Sequence, residues 1–183
     1  SRERATILAT VPTMLGWMAQ TPLLDRNDLS SLRIITSAAA ALPAAHGRKL
    51  RQRLGLARLF VMYGQTEAPA RLTYLDPADL DRKLGSVGKP VAGVEIQVCA
   101  ASGRELPPGE IGEIRARGPN TMLGYWRDPQ ATQQVLRDGW LYTGDLGHKD
   151  NEGFLYIDGR AVEMIKVGAF RVSPQEVEEV IAA

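Results

Sequence analysis

The chain has 183 residues, 44% of them hydrophobic and 23% charged, enough apolar material for one ordinary domain or a domain with part of another. Lys plus Arg number 22 against 21 for Asp plus Glu, and the net charge of +1 argues against a dedicated nucleic-acid binder with its usual basic excess. The single cysteine, Cys99, excludes an internal disulfide and fits a reducing compartment; no apolar run approaches the roughly 18 residues of a membrane span, and SRERATILATVP lacks a secretory signature, so a cytoplasmic, soluble protein is expected.

From Thr6 to Ala19, TILATVPTMLGWMA predicts a short buried strand and then a helix starting near Pro12, a residue suited to the first turn. Leu32 to Thr36 reads as a buried strand followed by a small-residue loop, TSAAAALP. AAHGRKLRQRLG reads as a helix ended by Gly55, with Arg48, Lys49, Arg51 and Arg53 expected largely toward solvent. A nucleic-acid role for that basic run is the sharper alternative, weakened by the lack of aromatic partners. LARLFVMY is the next strand. Strand, helix and strand at this spacing imply a βαβ unit with a parallel sheet.

Near Lys83 the character changes: LGSVGKPVAG, SGRELPPGEIG and ARGPNTMLGY bring recurrent Gly and Pro, with the β-like runs VEIQVCA and GEIRARG between them. That is the signature of a small antiparallel, β-barrel-like subdomain. A helix follows at DPQATQQVL, and GWLYTG and GFLYID then read as a hairpin around Asn151-Glu152-Gly153. Next comes a short strand pattern and SPQEVEEVI. Ser173 as N-cap, Pro174 at the first helical position and Glu176 three residues after the cap form a capping box, a structural motif. Val177, Val180 and Ile181 share a helical face that needs a partner, so the chain is expected to stop inside a domain. The expected organisation is an α/β part over residues 1–82, a β-rich subdomain over 83–158, and the start of a truncated α+β C-terminal domain over 159–183.

Three segments carry candidate chemistry. In VMYGQTEAP, Tyr63 offers a ring for a purine, Gly64 a close backbone approach, Thr66 a donor to phosphate oxygen, and Glu67 a carboxylate for a hard cation such as Mg²⁺. A plain strand-to-helix turn with Glu67 near the helix start explains the same residues equally well. In GWLYTGDLG, Asp145 in a tight turn could accept both vicinal hydroxyls of a ribose, or simply form an Asx turn. In DGRAVEMIKVGAFRVSPQEVE, Arg160 can pair with phosphate or ribose, and Lys166 sits in a glycine-flanked loop. His46 and His148, in a helix and a polar turn, are expected to be ordinary surface residues.

YGQTE, LYTGDLG and GRxxxxIKxxxxxVSPxEVE, in this order, resemble the adenylate-forming superfamily of acyl-CoA synthetases, peptide-synthetase adenylation domains and beetle luciferases. TSAAAALP, GSVGKPVAG, PPGEIGEIRARGPNTMLGYW and DPQAT are similar to its connecting motifs, so the likeness covers nearly the whole chain. The resemblance implies an enzyme that activates a carboxylic acid with ATP and Mg²⁺ to an acyl-adenylate and then transfers the acyl group to a thiol, commonly coenzyme A. It implies that Tyr63 stacks on adenine, with the Ser37–Leu42 loop, including Ala38, Ala39 and Ala40, on the other side. Gly64 and Gln65 would flank the nucleotide, Thr66 would contact the α-phosphate, and Glu67 the magnesium. Asp145 would bind the ribose, Arg160 ribose or phosphate, and Ile157 would neighbour the adenine. Lys166 and Gly168 would face the site during thioester formation; Met62, Gly85, Val87 and Gly88 would border the acyl pocket.

The sequence departs from the family pattern at several points. Ala38 and Ala39 stand where glycines are usual, Val162 and Glu163 occupy the hinge, and Ala169 replaces a common glycine. Neither the phosphate-cradling loop ending in Pro-Lys nor the distal lysine lies within these residues, so the isolated chain is not expected to catalyse adenylation. Three readings follow: a segment of a carboxylic acid–CoA ligase; part of an adenylation domain loading a carrier protein; or a non-catalytic nucleotide-binding module.

Overall fold

The structure, a computed structural model, describes residues 3–38, 42, 44–54, 57–160, 165–167 and 170–172, with 174, 177, 180 and 181. The first part runs β1 (Ile7–Thr10), α1 (Pro12–Gln20), α2 (Leu23–Arg26), β2 (Ile34–Ser37), α3 (Ala44–Leu54) and β3 (Arg58–Gln65). β1, β2 and β3 pair in parallel, the βαβ arrangement expected. Pro12 opens α1 as anticipated, and Leu15, Gly16 and Ala19 form its buried face.

Two expectations about α3 are corrected. Arg53 does not project to solvent: its guanidinium donates to the carbonyls of Met18 (3.2 Å), Ala19 (2.9 Å) and Thr21 (2.7 Å) and pairs with Asp25. It thereby satisfies carbonyls that the end of α1 leaves unpaired. His46 is not an ordinary surface residue either; a Cβ at Gly16 would lie 3.1 Å from its ring, so a glycine lets α1 approach α3 across the imidazole.

The second part contains β4 (Ala68–Leu75), β5 (Ser86–Pro90), β6 (Glu95–Cys99), β7 (Gly112–Arg117), α4 (Pro129–Val135), β8 (Leu136–Arg137), β9 (Trp140–Lys149) and β10 (Leu155–Arg160). β11 (Ile165–Val167) and β12 (Phe170–Val172) form a separate antiparallel pair. The strand-to-helix turn considered at Tyr63–Glu67 does not form: β3 reverses through Thr66 and Glu67 into antiparallel β4. The main sheet is ten-stranded, in the order β1-β2-β3-β4-β5-β10-β9-β7-β6 with β8 on β9. Its antiparallel part therefore continues the parallel part. Among the described residues no pairing closes it into a barrel.

One hydrophobic cluster spans both parts, with Leu15, Ile35, Leu50 and Leu59 in the first and Leu72, Ile114, Leu141 and Leu155 in the second. Alternation along β9 buries Leu141, Thr143, Asp145 and Gly147 on the core side. The expected β9–β10 hairpin is present, and its turn is held by Asp150, which accepts from the backbone of Glu152 and Phe154 and pairs with Lys83 at 2.6 Å. Burial pushes the Asp150 carboxyl up, but the Lys83 ammonium and the two backbone donors together hold it below the ordinary range. His148 lies inside β9, not in a turn, and pairs with Asp158 at 2.7 Å while stacking on Tyr156. Asp158 is the extra residue of a bulge: Ile157 faces Gly147, Gly159 faces Leu146, and Arg160 faces Asp145. No described helix is long and apolar enough to cross a membrane.

Candidate functional site

Asp145 is the centre of the site. It lies within β9 and not in the tight turn expected from TGD, because Gly144 absorbs a φ of +74° inside the strand. Its side chain is 9% exposed, and a carboxylate so buried requires partners. Tyr63, arriving on β3, donates its hydroxyl to Oδ2 at 2.7 Å; Arg160, at the end of β10, donates Nε to Oδ1 at 3.0 Å. Thr143 supports the strand from below, accepting from the Asp145 backbone N–H and donating to the Ile114 carbonyl. Burial, and then the Asp145 charge, push the Tyr63 phenol far above its ordinary range, so it remains a donor.

The donor and acceptor inventory of this trio fits a nucleoside monophosphate. An ionised carboxylate has about four lone-pair positions, and two side-chain donors leave room for a vicinal diol. Arg160 uses one of its five N–H donors on Asp145 and is half-exposed, so others remain for ribose or phosphate oxygen.

Glu67 is held differently. Tyr125, in the loop after β7, donates its hydroxyl to Glu67 Oε1 at 2.6 Å. The same loop donates the Met122 N–H to the Glu67 carbonyl (2.8 Å) and Asn120 Nδ2 to the Arg71 carbonyl (3.0 Å). The Glu67 hydrogen bond, ahead of burial, pushes the Tyr125 phenol up from its ordinary value. No cluster of three or more metal-ligating side chains occurs among the described residues. One carboxylate nevertheless fits Mg²⁺, which keeps several waters and takes one or two carboxylates alongside substrate phosphates.

The remaining expected site residues divide clearly. Tyr63, Asp145 and Arg160 are joined directly. Thr66 is exposed at the hairpin turn, Gln65 pairs with Ala68, and Ile157 packs against the core. Gly64 is explained by packing: it sits at a bulge, and a Cβ would lie 2.8 Å from the Arg71 Cα. Gly88 is likewise pressed against the Tyr74 backbone, Val87 is buried, Gly85 is open and Met62 is half-buried. Ala38 is described and donates its N–H to the Thr10 carbonyl. Ala39, Ala40, Val162, Glu163, Gly168, Ala169 and the capping residues Ser173 and Glu176 lie outside the described residues. Lys166 stands on β11 opposite Arg171. Tyr125 and Thr143 were missed by sequence reasoning; the LGYW and LYTGD motifs contain them, but nothing local marks their partners.

The fold is α/β, and the chain belongs to the AMP-binding enzyme family, whose sequence model matches residues 1–126. Over 180 residues it is 41% identical to an indoleacetate–CoA ligase of Aromatoleum aromaticum, covering 98% of this chain and 35% of that protein. The amide bond synthetase McbA of Marinactinospora thermotolerans superposes with a TM-score of 0.89 at 41% identity, over 98% of this chain and 37% of that one. The O-succinylbenzoate coenzyme A synthetase of Bacillus subtilis, solved with ATP and a magnesium ion, gives a TM-score of 0.86 at 35% identity, over 98% and 37%. The chain thus spans about a third of the length of the curated relatives it matches.

Proposed function

We propose that this chain is the nucleotide-holding segment of an ATP-dependent carboxylic acid–CoA ligase. The observation that carries the proposal is the convergence of Tyr63 and Arg160, from β3 and β10, on the Asp145 carboxylate of β9. Asp145 accepts the ribose hydroxyls, Tyr63 presents its ring to the adenine while its hydroxyl fixes Asp145, and Arg160 donates to ribose or phosphate. Thr66 donates to the α-phosphate. Glu67 would hold Mg²⁺, which neutralises phosphate charge when bound.

The reaction needs positioning and charge neutralisation more than a proton relay. A carboxylate oxygen of the acid attacks the α-phosphorus of ATP, the α–β phosphoanhydride bond breaks, and pyrophosphate leaves. The thiol sulfur of coenzyme A then attacks the acyl carbonyl, its proton passes to solvent, and AMP departs with the former carboxylate oxygen. Lys166 and Gly168 would serve this second step from the C-terminal segment. The ligase relatives favour a thiol acceptor; the likeness to an amide bond synthetase supports an amine as the second reading.

Calorimetric titration of the chain with AMP and ATP tests the proposal. Binding weakened at least about tenfold by Asp145→Asn, or about 1.4 kcal/mol, is expected. A chain that binds neither nucleotide, or binds both equally well after that substitution, overturns the assignment.

A further inference from the structure

The Tyr125–Glu67 hydrogen bond is not required by the fold around it. It joins residues 58 apart in sequence, between a loop and a hairpin turn, where each side chain could instead be solvated. Tyr125 retains 37% exposure, so burial alone does not force its hydroxyl to find a protein partner. Two further bonds, from Met122 to the Glu67 carbonyl and from Asn120 to the Arg71 carbonyl, clamp the loop to the turn and to the β4 arm of the β3–β4 hairpin. The loop is therefore fixed relative to the Glu67 backbone as well as its side chain. Among the described residues, Glu67 Oε2 takes no hydrogen bond.

We propose that Tyr125 is the positioning residue of the Glu67 carboxylate: it occupies Oε1, restricts the side-chain rotamer, and leaves Oε2 to a divalent cation that arrives with a nucleotide's phosphates. The inference rests on the nucleotide reading given above. A glutamate at an exposed turn has several rotamers open to it, and immobilising one on ligand binding opposes association. A hydroxyl that fixes the carboxylate beforehand removes part of that opposition. Tyr125 touches neither nucleotide nor reacting atoms in this account; it acts through Glu67.

The test is the ratio of ATP dissociation constants measured without and with Mg²⁺, by calorimetry on this chain, for wild type, Tyr125→Phe and Glu67→Gln. A general loss of folding or of nucleotide affinity changes both constants and leaves their ratio alone, so the ratio isolates the cation. Wild type is expected to gain affinity with Mg²⁺, Glu67→Gln to lose that gain, and Tyr125→Phe to reduce it three- to tenfold. Replacing Mg²⁺ by Mn²⁺ supplies an independent readout: water-proton relaxation in the ternary Mn²⁺–ATP complex is expected to differ between wild type and Tyr125→Phe. A ratio for Tyr125→Phe equal to wild type overturns the proposal. A wild-type chain that binds AMP but gains nothing from Mg²⁺ overturns it as well, while leaving the nucleotide reading standing. A chain that binds neither nucleotide overturns both.

Discussion

The Tyr63 hydroxyl donates to Asp145 Oδ2 at 2.7 Å, a contact between residues 82 apart that ties β3 to β9 across strands β4, β5 and β10. It has a consequence at alkaline pH. In the folded chain Tyr63 keeps its proton well above the ordinary value of 10.0, first because it is buried and then because Asp145 is negative. Above about pH 10 the unfolded chain releases a proton that the folded chain retains. Stability is therefore intact below that pH and falls as pH rises from it, by about 1.4 kcal/mol per unit for this group. Urea midpoints at about pH 9 and about pH 11, compared between wild type and Tyr63→Phe, isolate the effect from Tyr125 and Tyr156, whose phenols are also pushed up. The wild type is expected to lose more stability over that interval. Parallel losses would show that Tyr63 ionises freely in the folded chain.

Tyr63 and Arg160 share Asp145, so their contributions are expected to be non-additive. With one donor removed, the other still satisfies the buried carboxylate; with both removed, it is stranded. A double-mutant cycle of Tyr63→Phe and Arg160→Ala, read by chemical unfolding, should give a coupling of about 0.5–3 kcal/mol. The lower end is expected, because the Arg160 side chain is 54% exposed and its pairing is screened. Strictly additive losses would mean that the two donors act independently.

Gly88→Ala is expected to be severe. The residue has a φ of +84°, and an added Cβ would lie 1.8 Å from the Tyr74 carbonyl oxygen, inside the β4–β5 junction. Destabilisation of about 3 kcal/mol or more is expected, combining backbone strain with displacement of a strand. Gly103→Ala is the control, since its φ of +82° is similar but nothing lies within 4 Å. It should show the strain alone, about 1–2 kcal/mol. Equal losses in thermal unfolding would remove the steric argument.

Arg53→Ala should destabilise the chain by about 2 kcal/mol, because three carbonyls at the end of α1 and the Asp25 carboxylate lose a charged donor. Arg53→Lys should recover only part, since a single ammonium cannot reproduce the spread of the guanidinium fork. Urea titration of the three chains checks the order. A lysine variant as stable as wild type would mean that charge alone, not geometry, matters there.

The parallel part was legible because its signals are local: Pro12 opens a helix, Ile34 and Ile35 form a buried strand, and a helix of suitable length separates β2 from β3. The β3–β4 reversal was not. Thr66-Glu67 carries no Asn-Gly or Asp-Gly signal, and the bulge at Gly64 breaks the alternation that would betray a hairpin. Asp145 was expected in a turn, because the Thr-Gly-Asp run looks like one, yet Gly144 takes its positive φ within a continuous strand. His46 and Arg53 looked solvent-facing because their helix is polar in isolation. Their partners lie on α1, the turn after it and α2, and packing between distant segments leaves no periodic trace. Tyr125 escaped for the same reason.

The bulge at Asp158 sets where this sequence can change length. An unbulged strand would set Gly159, with no side chain to offer, opposite Asp145; the extra residue advances the strand so that the guanidinium of Arg160 stands there instead. Insertions and deletions between Ile157 and Arg160 would therefore dismantle the pairing. The tip at Asn151–Gly153 lies outside the paired strands, so a change of length there would leave the register of Arg160 against Asp145 untouched.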